Sequence, residues 1–212
     1  MALQISGQVS RGGLPVAAAG SNPPVSQGQF GEAMVTEINA RYYNLVNAGL
    51  VFGSVYPAAA TIGASATVMG AFALYNPPGS GKNLVLLDCS VAVSTVAAST
   101  TYYAVGLAGN PSLPTTPTAI TLGNTPVNLN FGSAVASVAK TVVAGTTAGA
   151  TTTIARLVGS FYYDLVAVDS INYIKDQIDG AIIVGPGGYV SLYSISGTPT
   201  IVAGFTWAEI TV

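Results

Sequence analysis

Residues 200–210, TIVAGFTWAEI, carry the clearest strand pattern of the chain. Apolar residues recur at every second position on what would be one face of an extended strand: Ile201, Ala203, Phe205 and Trp207. The opposite face of the same strand would carry Val202, Thr206 and Ala208. Because successive side chains of a strand point to opposite faces of a sheet, this alternation predicts a strand that packs one face against a core. We expect Trp207 to lie in that core.

Further strand-like segments, separated by turn signals, extend back from this strand to about residue 60. They are predicted at 67–75, 83–96, 101–107, 140–143, 151–158, 162–168, 181–184 and 189–195. Residues 109–133 contain four prolines and are predicted to form a long excursion. About eight strands without helices between them favour an all-β fold, either an antiparallel sandwich or a barrel.

The first 56 residues differ from this pattern. Residues 1 to about 27 are rich in Gly, Pro, Ser, Ala and Gln, and are predicted to form an extended arm. Residues 28–56 have apolar positions that fit helical spacing, although a strand is possible as well. We therefore predict two regions, an N-terminal arm and docking segment at 1–56 and a β-sandwich domain at 57–212.

The composition predicts an oligomer. Charged residues make up only 7% of the chain, against about 25% in an average protein, and 50% of the residues are apolar. So few ions favour a surface of small polar residues that is partly buried against other copies. A net charge of −2 gives no basis for binding nucleic acid, and no polybasic patch indicates a membrane partner.

The single cysteine and the N-terminus bear on the compartment. Cys89 has no second cysteine to pair with, and its apolar surroundings predict a packed thiol rather than a nucleophile. The N-terminus lacks the basic start and continuous apolar stretch of a secretory signal. We expect synthesis in a cytoplasm without export by that route.

Gly79–Lys82, Gly-Ser-Gly-Lys, resembles a phosphate-binding loop but does not satisfy its pattern. That loop needs Gly five positions before the second Gly and Ser or Thr after Lys, whereas this chain has Asn76 and Asn83. Pro77 and Pro78 also remove two backbone donors. The segment is predicted to be a turn between two strands, with Lys82 solvated at its tip.

Other chemistry is sparse. The chain has no histidine, which removes the usual general base and most zinc sites. Ser137–Lys140 matches the Ser-x-x-Lys of penicillin-recognising enzymes, but the partner motifs are missing, so a strand or loop is predicted. We expect no catalytic site, no cofactor and no bound metal.

One acidic cluster leaves alternatives open. It consists of Asp164, Asp169, Asp176 and Asp179. These carboxylates could hold Ca²⁺ or serve a glycosidase, but they lack the spacing of a calcium loop. The simpler interpretation is a polar connection before the apolar strand at 181.

Two stretches carry a family resemblance, QIDGAIIVGPGGYVSLYSISGTPTIVAGFTWAEI at 177–210 and LYNPPGSGKNLVLLDCSVAV at 74–93. Together with GQFGEAMVTEINARYYNLV at 28–46, they resemble jelly-roll structural proteins of tailed bacteriophages, of the capsid cement or decoration type. The resemblance implies a jelly-roll-like sandwich and a non-enzymatic, trimeric protein on the capsid surface that binds the major capsid protein where capsomers meet. Interface anchors expected on this basis are Arg11, Phe30, Tyr42 and Tyr43.

Three other functions stay open. A tail-fibre or tail-tip head would bind a host glycan by stacking aromatic residues such as Tyr102, Tyr103 or Tyr193 on sugar rings. A capsid subunit would assemble shells by itself. A glycan-active enzyme would require Asp164 and Asp176 to converge in a cleft.

Overall fold

A computed structural model describes residues 40–56, 59–62, 72–95, 102–110, 125–142, 153–162 and 173–212. The chain divides into two compact units, 1–43 and 44–212. The predicted arm at 1–27 lies outside the described residues. A short helix, α1, covers Tyr43–Asn47.

Twelve strands are present in the described part of the second unit. They are β1 Val51–Val55, β2 Ala60–Thr61, β3 Ala73–Tyr75, β4 Lys82–Thr95, β5 Tyr102–Asn110, β6 Val127–Asn128, β7 Lys140–Val142, β8 Thr153–Tyr162, β9 Tyr173–Gln177, β10 Ile183–Val184, β11 Tyr189–Ser196 and β12 Thr200–Thr211.

The strands form two antiparallel sheets that pack as a sandwich. The seven-stranded sheet has the order β10-β4-β12-β1-β6, with β2 added to β12 and β9 added to β4. The five-stranded sheet has the order β7-β3-β11-β5-β8. The predictions of an all-β fold and of an antiparallel sandwich are therefore confirmed.

Strand β12 organises the larger sheet. It pairs with β4 along its whole length, from Thr200 opposite Thr95 to Thr211 opposite Lys82. All four residues of the predicted inner face are buried in the shared core. Trp207 is fully buried and stacks on Phe52 of β1, with ring centroids 6.3 Å apart, which confirms its predicted place in the core.

Strand bounds differ from the sequence prediction in four places. β6 lies within the predicted excursion at 109–133, and the segment predicted as a polar connection before 181 contains β9, which pairs with β4. Val51–Val55 lies in the predicted docking segment 28–56, and it forms β1, which pairs with β12 inside the sheet. Two strands were predicted at 151–158 and 162–168, separated near Gly159, but β8 runs through this glycine to Tyr162. The reason is packing: a Cβ at Gly159 would lie 2.3 Å from Cδ1 of Ile174, so the glycine allows a close approach rather than a turn.

Candidate functional site

The Asn76–Lys82 segment forms the predicted turn, with an asparagine closing it. The side-chain amide of Asn76 donates hydrogen bonds to the carbonyl oxygens of Lys82 at 2.7 Å and Val184 at 2.9 Å. Gly81 has a φ of 66°, in the region that favours glycine. Strand β4 follows at once, in place of the helix that a phosphate-binding loop requires.

Lys82 is not solvated at the tip of this turn, so that prediction is wrong. Its Nζ lies 3.0 Å from Oε2 of Glu209, and its side chain is only 23% exposed, while that of Glu209 is fully buried. The sequence reasoning missed the pairing because the two residues are 127 positions apart, and only the β4–β12 register brings them together.

Glu209 accepts further hydrogen bonds from the loop before β7. The backbone N–H of Val138 donates to its Oε1 at 3.0 Å, the N–H of Ala139 lies 3.4 Å from the same oxygen, and the Ser137 hydroxyl donates to it as well. Trp207 Nε1–H completes the set at 3.4 Å. The Glu209 carboxylate thus accepts hydrogen bonds from several donors of the chain itself. These contacts hold the 137–139 loop against the ends of β4 and β12.

The Ser137–Lys140 tetrad forms a loop end and the start of a strand, as predicted. Ser137 is engaged with Glu209, while Lys140 lies exposed at the start of β7. This arrangement gives the serine an anchoring role.

Asp176 and Asp179 are the described members of the predicted acidic cluster. Asp179 lies in the turn after β9 with a φ of 53°, and Asp176 forms an ion pair. Arg156 of β8 contacts Asp176 of β9 with two hydrogen bonds of 2.7 and 2.8 Å, and this contact raises the pKa of Arg156. Lys175 lies 3.3 Å from Asp88. Asp164 and Asp169 lie outside the described residues. Across the described ranges, no group of three His, Cys, Asp or Glu side chains could hold a metal ion.

Cys89 is a packed thiol, as predicted. It is completely buried in the core, and burial raises its pKa well above the usual range, with Asp176 and Asp88 adding to the effect. A protonated, inaccessible thiol cannot act as a nucleophile.

The aromatic residues predicted to bind a partner differ in their exposure to solvent. Tyr193 is only 2% exposed on β11, so the expectation that it stacks on a sugar at the surface is wrong. The side chains of Tyr102 and Tyr103 lie outside the described residues, as do Arg11 and Phe30. Among the expected anchors, Tyr43 is exposed at the start of α1.

Tyr42 is half-buried, and its ring lies beside the guanidinium group of Arg41. The guanidinium carbon of Arg41 lies 5.8 Å from its ring centroid, which is the distance of a cation–π contact. The anchoring role expected of these residues stays a prediction.

The structure reveals an apolar surface that was not predicted. Phe131 is 87% exposed, and the side chains of Val55 and Val127 beside it are more than half exposed. All three line a groove of about 390 Å³ on the outer side of the seven-stranded sheet. We call these three residues and the groove the Phe131 surface.

The described lining of the groove comes from strands β1, β4, β6 and β12 and from the 125–131 segment. Its described lining is Gly53, Ser54, Val55, Ser90, Thr125, Val127, Leu129, Phe131, Gly204, Phe205 and Thr206. None of these side chains carries a charge. A Cβ at Gly204 would lie 3.1 Å from Cγ2 of Val55, so glycine keeps the groove open there.

The loop that carries Phe131 is held by a hydrogen-bond network. Asn128 donates its amide to the carbonyl oxygen of Gly49 at 2.8 Å, and Asn130 donates to that of Asn47 at 3.2 Å. The backbone N–H of Ser133 donates to the Asn130 carbonyl at 2.8 Å, closing the turn around Phe131. The sequence contained a signal for this exposure, because Asn130-Phe131-Gly132 places a lone aromatic among turn residues.

No family model, curated protein or solved structure matches the chain. Within the described ranges, no helix has the length and apolar character needed to cross a membrane.

Proposed function

We propose that the chain is a non-enzymatic structural protein of a tailed-phage virion, most specifically a cement or decoration protein of the capsid. Its sandwich would have jelly-roll connectivity, and it would act as a homotrimer bound to the major capsid protein at capsomer junctions. The observation that carries the proposal is the Phe131 surface, an exposed apolar surface on a sandwich with very few charges. Monomeric soluble proteins rarely expose such patches unless a partner covers them.

The engagement of the polar groups supports a structural role over an enzymatic one. Glu209 and Asp176 are saturated by donors from the chain itself, so neither carboxylate is available for acid–base chemistry in this arrangement. Of the three aromatics suggested for glycan binding, Tyr193 is buried, which makes the tail-fibre alternative weaker.

A decoration protein of this kind would act by mass action. It binds the assembled shell but not free capsomers, so bound copies lower the free energy of the shell relative to its parts. A neutral, apolar contact surface suits this role, because such binding depends little on ionic strength.

The experiment is a binding assay with capsids that lack the chain. The purified protein is mixed with mature and with immature capsids of the phage that encodes it, and bound protein is measured by co-sedimentation. We expect binding to mature capsids, insensitivity to 0.5 M salt, and a higher temperature of capsid disruption. Absence of binding to either capsid form would contradict the proposal, and assembly of empty shells from the chain alone would indicate the capsid-subunit alternative.

A further inference from the structure

We propose that Asp179–Gly180 is a site of spontaneous backbone modification, and that the contact of its turn with β4 controls the rate. The modification is the conversion of aspartate to isoaspartate, in which the main chain continues through the side-chain carboxyl carbon. The turn consists of residues 178–181, between β9 and β10, and we call it the Asp179 turn. This inference is independent of the proposed function.

The first reason lies in the sequence. Aspartate followed by glycine is the pair most prone to this reaction, because glycine has no side chain to hinder its backbone nitrogen. Asp179–Gly180 is the only Asp-Gly pair in the chain, and no asparagine is followed by glycine. Asp179 is also exposed, so water reaches its carboxyl group. We therefore expect one site to dominate.

The reaction needs no reagent other than water. The Gly180 nitrogen attacks the side-chain carboxyl carbon of Asp179, a C–N bond forms, and the carboxyl hydroxyl leaves with the proton of the nitrogen as water. The product is a five-membered succinimide ring. Hydrolysis at the original backbone carbonyl opens the ring to isoaspartate, and hydrolysis at the other carbonyl restores aspartate.

In the folded chain, the nitrogen that would attack is bound to β4. The Gly180 N–H donates to the carbonyl oxygen of Leu86 at 2.7 Å. The N–H groups of Ile178 and Asp179 both donate to the carbonyl oxygen of Leu87 at 2.9 Å. Attack on the carboxyl carbon would require Gly180 to leave its acceptor. The reaction must therefore wait until the Asp179 turn separates from β4.

The turn is also fixed internally. Its central residues have φ values of 53° at Asp179 and 85° at Gly180, as in a type I′ turn. The N–H of Ala181 donates to the carbonyl oxygen of Ile178 at 3.0 Å and closes the turn. Ile178 is only 2% exposed and belongs to the core. Separation from β4 would expose this apolar side chain, so the open form is rare.

Isoaspartate would prevent the turn from closing again. It adds a CH2 group to the main chain, so the three N–H groups of the turn could no longer all reach the carbonyl oxygens of Leu86 and Leu87. Strand β10 follows the turn and pairs Ile183 with Val85 and Val184 with Leu84. We expect the modified chain to lose this pairing and to unfold at a lower urea concentration than the unmodified chain.

The test compares the rate of isoaspartate formation in the folded chain with the rate in the chain unfolded by urea. Both samples are incubated at neutral pH and digested, and electron-transfer fragmentation distinguishes the two isomers, which have equal mass. Because the turn must open first in the folded chain, we expect the unfolded chain to react at least about tenfold faster. Equal rates, isoaspartate mainly at another aspartate, or none in the unfolded chain would overturn the inference.

Two matched variants separate opening of the turn from unfolding of the whole chain. Ile178→Ala removes the buried side chain of the turn, and Ile201→Ala removes a buried isoleucine from β12, opposite Val93 and away from the turn. Circular dichroism checks that both are folded. Ile178→Ala should form isoaspartate at least about threefold faster than Ile201→Ala. Equal rates in the two folded variants would overturn control by the turn.

Asp179→Asn provides a second measurement that does not depend on either alanine variant being folded. Asparagine tolerates the positive φ of this position and forms the same succinimide with loss of ammonia, which changes the mass. Its deamidation should also be at least about tenfold slower in the folded chain than in urea. Deamidation at equal rates in the two states would overturn the inference.

Discussion

Replacing Glu209 by Gln should destabilise the fold, because it breaks the ion pair with Lys82. The change keeps the shape of the side chain but removes its charge. The new NH2 group takes the place either of Oε2, which lies 3.0 Å from Lys82 Nζ, or of Oε1. In the first orientation the Lys82 ammonium loses its acceptor, and in the second the donors to Oε1 from Ser137, Val138, Ala139 and Trp207 lose theirs.

The magnitude follows from the burial of the two partners. Breaking a fully buried ion pair costs about 3–5 kcal/mol. The Lys82 side chain is 23% exposed and can recover part of its hydration, so we expect about 2–3 kcal/mol for Glu209→Gln. Lys82→Met should cost a similar amount, about 2–3 kcal/mol, because it leaves the fully buried carboxylate without its counter-ion, although the carboxylate keeps its donors from Ser137, Val138, Ala139 and Trp207.

The assay is urea unfolding of the two single variants and the double variant at one protein concentration, since the stability of the proposed oligomer would depend on concentration. The double variant should lose less than the sum of the single losses, because the partners interact directly. A Glu209→Gln variant with an unfolding free energy within about 0.5 kcal/mol of the wild type would refute the stabilising role of the Lys82–Glu209 pair. Strictly additive losses of stability in the double variant would refute it as well.

Three further predictions concern the core thiol, the turn and an ion pair between the two sheets. Burial raises the pKa of Cys89, so above about pH 8.5 the folded thiol keeps its proton while the unfolded thiol loses it. The free energy of unfolding should therefore fall by up to about 1.4 kcal/mol for each pH unit above that value. Cys89→Ala should remove this pH dependence in urea titrations. Rapid labelling of the folded thiol by Ellman's reagent would contradict this. Gly81→Ala should cost about 1–2 kcal/mol in thermal unfolding, because its φ of 66° is unfavourable for alanine. A steric clash would not contribute, since an added Cβ would meet nothing within 4 Å. An unchanged melting temperature would contradict this prediction by showing that the backbone relaxes freely. Arg156→Met should cost about 1 kcal/mol or less, because the arginine side chain is 37% exposed, and 1 M salt should narrow the difference; a salt-independent loss would indicate a packing role instead.

Sequence patterns predicted the strands well where alternation was strong and both ends had turn signals. β12 is the best example, since the four residues of its predicted inner face, from Ile201 to Trp207, are all buried. The break predicted between 158 and 162 was wrong, because β8 continues through Gly159, where the missing side chain makes room for a neighbouring strand. The residue that approaches is Ile174, which the sequence alone does not place beside Gly159.

The candidate site was less accessible to prediction, because its contacts are long-range. Lys82 and Glu209 are 127 positions apart, so their pairing could be predicted only from the register of β4 against β12. The turn residues around Phe131 indicate a surface aromatic, but the groove beside it is formed by β1, β4, β6 and β12 together. Sequence alone places neither Val55 nor Gly204 next to it.

The most direct test of the proposed function is the location and amount of the chain in purified virions of the tailed phage that is proposed to encode it. Heads and tails would be separated, and the chain quantified in each fraction against the major capsid protein by mass spectrometry. The proposal predicts that the chain is found with heads, in numbers comparable to the capsid protein. A chain confined to tails in a few copies, or absent from virions, would contradict it.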